Sequence, residues 1–177
     1  MSINFCHIAP TPHLSLTGSQ SHHLLLAHLI EDDGIYRDFY KTLKSTHPAN
    51  TLIVDNSAFE KFKRGLPMYT SSKLIDMGIA VSADYIVMSD YPNEHSQVTI
   101  SAAGKLAPQF KEAGFGTFFV PQSIVGDLPD LIAAYRWAAS HPELVDYIGV
   151  SILGVPNGYG VERGNKLQRY MARYHFM

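Results

Sequence analysis

Five short segments carry the side chains that could bind or transform a ligand: Pro10-Thr11-Pro12-His13, Asp55-Asn56-Ser57-Ala58-Phe59-Glu60, Ser89-Asp90-Tyr91-Pro92-Asn93, Pro121-Gln122-Ser123 and Gly149-Val150-Ser151. Two carboxylates, a carboxamide and an aromatic ring on one rim can hold a planar heterocycle. A carboxylate accepts from two N–H groups on one edge, an amide reads a carbonyl, and a ring stacks on the face. Each residue also has a structural alternative. Asp55 before Asn56-Ser57 could cap a turn, Asp90 before Tyr91-Pro92 could be a turn aspartate, and Gln122 could tie down loop backbone. Phe59 could belong to the core. His13 is the histidine best placed to meet a ligand, or else a turn residue.

The elements that must position these side chains follow from the apolar runs. Runs at 3–9, 51–54, 85–88, 116–120 and 147–152 read as strands, each followed by turn residues and a helix-like stretch. After the first, they recur about every thirty residues, the length of a βα unit. They are apolar throughout rather than alternating, as in parallel strands covered on both faces. Helices are expected at 21–43, 71–79, 97–113, 128–140 and 165–174. The whole chain, 1–177, reads as a single α/β domain of alternating units. By length alone a flavodoxin-like open sheet suits five strands better than a (β/α) barrel, which needs eight. In either architecture ligands bind at the carboxyl ends of the strands, where the polar segments lie.

Composition narrows the function classes. The chain has 177 residues, 46% of them apolar and 17% charged, which excludes a disordered chain. The run near the start is interrupted by Asn4 and His7 and lacks a basic lead-in, so no secretory leader and no membrane partner are expected, and the protein is expected to be cytoplasmic. Cys6 is the single cysteine, excluding a disulfide framework and a cysteine-cluster zinc site; inside the first strand it reads as a buried, inert thiol. The nine histidines show no metal-ligand spacing, and no metal or cofactor is expected. Gly154, Gly158, Gly160 and Gly164 lack a lysine in a phosphate-loop frame and read as a loop. With a formal charge of −2, nucleic acid could be held only by local patches: Lys61, Lys63 and Arg64, and Arg163, Lys166 and Arg169.

Read in order, the rim residues resemble the tRNA-guanine transglycosylase superfamily, and most of all its DNA-acting members, the 7-deazaguanine transglycosylases of phages and bacterial islands. Asp55-Asn56-Ser57-Ala58-Phe59-Glu60 is similar to the family's Asp-Ser-Gly-Gly-Phe/Tyr-Gln strand end. Val87-Met88-Ser89-Asp90, Val120-Pro121-Gln122 and Tyr147-Ile148-Gly149-Val150-Ser151 are similar to its next three strand ends. The likeness covers residues 1 to about 160. It implies a guanine or 7-deazaguanine pocket in which Asp55 and Asp90 hold the amine edge, Gln122 reads the carbonyl, Phe59 stacks, and the Gly149 amide faces the ligand. It also implies an incomplete TIM-like barrel of about five strands.

The resemblance further implies base exchange on nucleic acid, with DNA a better match than tRNA and the basic patches contacting phosphates. The family's nucleophilic aspartate belongs to a later strand, so a second chain or a homo-oligomer would complete the barrel and supply it. Ser57 and Ala58 stand where the family has two glycines, and Glu60 where it has glutamine. A non-catalytic purine, deazapurine or nucleotide-binding protein of open-sheet type is the alternative reading.

Overall fold

The computed structural model describes residues 5–151, 154–162 and 164–176. Within them, five strands form one parallel sheet: β1 (His22–Leu26), β2 (Thr51–Asp55), β3 (Tyr85–Val87), β4 (Gly116–Phe119) and β5 (Tyr147–Ile148). The connections are helical. Helices α1 (Ala27–Asp32) and α2 (Gly34–Thr46) follow β1, α3 (Ala58–Lys63) and α4 (Ser71–Val81) follow β2, and α5 (Ser96–Glu112) follows β3. Helix α6 (Leu128–Ala139) follows β4, and α7 (Gly154–Gly158) and α8 (Lys166–Phe176) follow β5.

The spatial order β1-β2-β3-β4-β5 is the order along the chain. That is the winding of a barrel segment, and not the 2-1-3-4-5 order of flavodoxin-type sheets. The sheet stays open at β5. Consecutive right-handed crossovers in one direction put the helices between the strands on one face. The main core shows this: Tyr36 and Tyr40 of α2, Leu74 of α4, Phe110 of α5 and Ala134 of α6 are all buried together with Leu25, Leu52, Val54, Ile86 and Phe119 from the strands.

The alternate strand positions face the other way. The register aligns Leu24 with Ile53 and Ile53 with Tyr85, and a second row runs from Leu26 to Asp55, and from Val87 through Phe118 to Tyr147. On this concave side Tyr85, Phe118 and Tyr147 pack ring against ring, with centroids 4.8–5.8 Å apart. Tyr147 nevertheless remains 49% exposed at the open edge.

The N-terminal reading needs correction. Residues 22–26 form β1 rather than the start of a helix, because each finds a partner on β2 from His22–Thr51 to Leu26–Asp55. Tertiary pairing overrides the local helical spacing of the leucines. The expected first strand at 3–9 is reduced to a single bridge: His7 donates to His22 O at 2.9 Å and accepts from Leu24 N at 3.0 Å. Ile3 and Asn4 lie outside the described residues. Phe5 is 78% and Ile8 54% exposed, and Cys6 is exposed rather than buried, so this segment adds little to the core. The glycines at 154 and 158 bound the short helix α7 instead of a loop.

At the amino ends of the strands one device occurs twice. Asp84, just before β3, accepts from Leu52 N of β2 at 2.8 Å and pairs with Lys44 of α2. Asp146, just before β5, accepts from Thr117 N of β4 at 2.7 Å and pairs with Lys111 of α5. Each aspartate ties its strand to the neighbouring one and to the end of the helix that leads into that neighbour. Among the described residues no helix is long and apolar enough to cross a membrane.

Candidate functional site

Asp55 is the last residue of β2 and lies on the concave side of the sheet. Val87 ends β3, and Val120 follows the last residue of β4. Together with Phe59 and Phe62 of α3 they enclose a cavity of about 400 Å³ at the carboxyl ends of the strands. Asp55, Asn56, Asp90 and Gln122 supply its polar wall, and Asn93 and Asn157 close one side, with Asn157 Nδ2 donating to Asn93 Oδ1 at 3.2 Å.

Three adjacent strand ends are stitched together inside this wall. Asp90, 4% exposed, accepts at Oδ1 from Asn56 Nδ2 at 2.7 Å and at Oδ2 from the Gln122 amide. Asn56 also donates to Met88 O at 2.5 Å and accepts from Ala58 N at 2.8 Å, which starts α3. Burial pushes the Asp90 carboxyl up to about 6, against the two amide donors that favour its charged form. Burial also pushes Asp55 up to about 7, helped by the charges of Asp90 and Glu60 and opposed by the backbone N–H groups of Ser57 and Asn56. Two carboxyls in one small cavity thus titrate near neutrality, where each can accept from or donate to a ligand.

Ser57 shows how the turn is built. Its backbone is left-handed, with φ 54° and ψ 34°, between β2 and α3. Its hydroxyl is fully buried on the side away from the cavity, accepting from His28 N at 3.2 Å and bonding His28 Nδ1 at 2.9 Å. A glycine adopts this conformation without strain, whereas a residue with a Cβ does so at a cost.

The four residues singled out as the centre of the pocket, Asp55, Phe59, Asp90 and Gln122, line the same cavity. Phe59 is 43% exposed, so its ring stands at the mouth rather than in the core. Gly149 is not on the cavity wall. Its N–H donates to Phe119 O at 2.7 Å and its carbonyl accepts from Tyr135 Oη at 3.3 Å, so its amide faces the sheet and not a ligand. His13 is exposed in a 3-10 turn, Thr11–Leu16, away from the cavity.

The basic residues divide. Lys63 and Arg64 are exposed on and just after α3, and neither is in the cavity wall. Lys61 lies over the Tyr69 ring, 3.6 Å from its centroid. Lys166 is exposed at the start of α8, whereas Arg169 is 7% exposed and donates to Val161 O at 2.9 Å, so it secures a loop. Arg163 lies outside the described residues.

Asn56 and Phe62 escaped the reading of the sequence. Phe62 was detectable as the i+3 neighbour of Phe59 on a helix. Asn56 was visible only as a turn former, and its reach across to Asp90 depends on how β2 and β3 pair. Among the described residues no cluster of histidine, cysteine and carboxylate side chains could hold a metal ion. Comparison with protein-family models and with characterised proteins finds no match.

Proposed function

We propose that the cavity is a base pocket of the guanine or 7-deazaguanine type, and that the protein serves a transglycosylase-like base exchange on nucleic acid. The observation that carries the reading is the meeting of Asp55, Asp90, Gln122 and Phe59 at one cavity. The ring-stacking mouth and acceptor-rich floor suit a flat heterocycle that presents adjacent N–H donors. A volume of about 400 Å³ holds one base with room for part of its sugar.

In this reading the ionised carboxyls accept from the ring N–H and exocyclic amine, and Gln122 supplies the donor for the ring carbonyl. Phe59 covers one face of the base and excludes water, which strengthens the charged hydrogen bonds beneath it. Lys63 and Arg64, one to two turns along α3 from Phe59, would meet the phosphates of an extruded nucleotide, in DNA by preference. The displacement at the sugar needs a carboxylate nucleophile. It is assigned to a second polypeptide or a second copy docking against the exposed β5 edge. The chain itself contributes recognition of the base.

Isothermal calorimetry with guanine, 7-deazaguanine and, as controls, adenine and cytosine tests the reading. Binding of the first two and not of the controls is expected, abolished in Asp55→Asn/Asp90→Asn. Absence of heat with every base removes the proposal. Adding a nucleic-acid substrate and radiolabelled guanine then separates base exchange from binding alone.

A further inference from the structure

The polar wall of the cavity contains one side chain whose two hydrogen-bond donors are both spent inside the protein. Asn56 is 2% exposed, and both its amide hydrogens and its oxygen are engaged: with Met88 O, with Asp90 Oδ1 and with Ala58 N. It sits one residue beyond β2, reaches across to Asp90, three residues beyond β3, and at the same time starts α3. Asp90 is gripped from the opposite side by Gln122, three residues beyond the end of β4. Two amides from two different strand ends, one on each carboxylate oxygen, fix both the rotation and the tilt of the Asp90 carboxyl plane.

We propose that Asn56 is the positioning residue of the pocket: it orients the buried Asp90 carboxylate and keeps it an acceptor, and it touches no ligand itself. The proposal rests on the reading of the cavity as a base pocket only for its consequence in binding; the clamp itself is a property of the free protein. A buried carboxylate with one donor removed loses stabilisation of its charged form, so Asp90 takes up its proton more readily. The other titratable group in the wall is Asp55 at the end of β2, which feels the charge of Asp90 and, from α3 outside the wall, that of Glu60. Their titrations must therefore be followed beside that of Asp90.

The test uses carbon-detected NMR titration of the side-chain carboxyls in the ligand-free protein, for the wild type, Asn56→Ala and Asn56→Ser. Serine can still accept from Ala58 N as a turn residue but is too short to span to Asp90. Both variants are expected to raise the Asp90 midpoint by about one unit, and the serine variant, which keeps the start of α3, to melt above the alanine variant. With guanine as the probe, calorimetry at pH 7 is expected to show a loss of about tenfold in affinity, shrinking above pH 8 where Asp90 is ionised in every variant. In the wild type the Asn56 side-chain amide protons should shift with the Asp90 midpoint, a measurement that needs no substitution. An unmoved Asp90 midpoint in Asn56→Ser, or Asn56 amide protons indifferent to it, reduces Asn56 to a turn cap. If the wild type binds no guanine, the base-pocket reading falls and the ligand-free titration still decides the clamp.

Discussion

Asp90, three residues beyond β3, raises the cost of ionising Asp55 at the end of the adjacent strand β2: its charge is the second cause, after burial, of the upward shift of Asp55. Neither has a cation to answer it in the cavity wall, where the partners are amides and backbone N–H groups. A fold that retains such a pair in one cavity gives up stability to keep it. The cost has a definite sign. A carboxyl whose folded pKa lies above its unfolded value binds more protons in the native state, so stability falls as pH rises between the two values. For Asp55 that window runs from the ordinary carboxylate range to about 7. Asp55→Asn is therefore expected to leave the melting temperature unchanged near pH 4 and to raise it by a few degrees at pH 8, about 1–2 kcal/mol. Differential scanning calorimetry across that range checks it, and equal effects at both pH values would show that Asp55 is not ionising inside the cavity.

Ligand binding should carry the opposite pH dependence. A base that presents N–H donors favours ionised acceptors, so its binding competes with protonation of Asp55 and Asp90, whose free-protein values lie at about 7 and about 6. Guanine affinity is expected to rise about tenfold or more from pH 5.5 to pH 8. Calorimetry in buffers of different ionisation enthalpy should record proton release at pH 6. An affinity that falls over this range would mean that a carboxyl donates to the ligand rather than accepting from it.

Phe59 separates recognition from folding. With 43% of its surface exposed at the mouth of the cavity, its ring contributes little to the core, and Phe59→Ala should shift the melting temperature by no more than a degree or two. Stacking of a base on an aromatic ring is worth about 1–3 kcal/mol, so the same variant should weaken guanine binding by about tenfold or more. Phe59→Leu keeps the apolar cover without the flat face and should recover only part of the loss. Fluorescence titration or calorimetry reads both.

Much of the helical layer could be read from the sequence because its signals are local. Gly114, with φ of 89°, ends α5 as its position indicated, and α6 starts at Leu128 as expected, its N-cap Asp127 accepting from Asp130 N at 3.0 Å. The strands from β2 onward were legible as apolar runs bounded by turn residues. β1 was not, because His22–Leu26 contains no β-branched residue and owes its conformation to the partners on β2. The strand order was also out of reach, since length argued for an open flavodoxin-like sheet and only the pairing reveals the sequential winding. At the site, Asp55, Phe59, Asp90 and Gln122 were marked by their places after strands. The roles of Asn56 and Gly149 depend on cross-strand bonds that no linear pattern displays.

The paired aspartates at the opposite end of the sheet should govern stability and leave the cavity untouched. Removing Asp146 leaves Thr117 N without its acceptor and Lys111 without its partner. The ion pair is partly exposed and solvent-screened, so most of the loss comes from the unsatisfied N–H, about 1–3 kcal/mol. Asp146→Ala should lower the urea midpoint accordingly, with guanine binding unchanged. Burial pushes the Asp146 carboxyl upward, but the Lys111 ammonium and the Thr117 donors together hold it below its usual value. Its contribution is present above the ordinary carboxylate range and is lost as pH falls through the depressed value, the reverse of Asp55. The difference in stability between wild type and Asp146→Ala should accordingly close in acid.

Ser57 sets two local effects against each other. Its left-handed backbone costs a residue with a Cβ about 1–2 kcal/mol relative to glycine, while its buried hydroxyl makes the two bonds to His28. Ser57→Gly relieves the strain and loses the bonds, and the greater freedom of glycine in the unfolded chain offsets part of the relief. Ser57→Ala keeps the strain and loses the bonds as well. The alanine variant is thus expected to be the least stable of the three, by about 2 kcal/mol from wild type, with glycine about 1 kcal/mol above it. Urea unfolding measures the order. Alanine at least as stable as glycine would mean that the turn relaxes out of the left-handed region, and the Asn56 amide, which starts the same helix one residue earlier, should then lose its bond to Asp90 in the same variant.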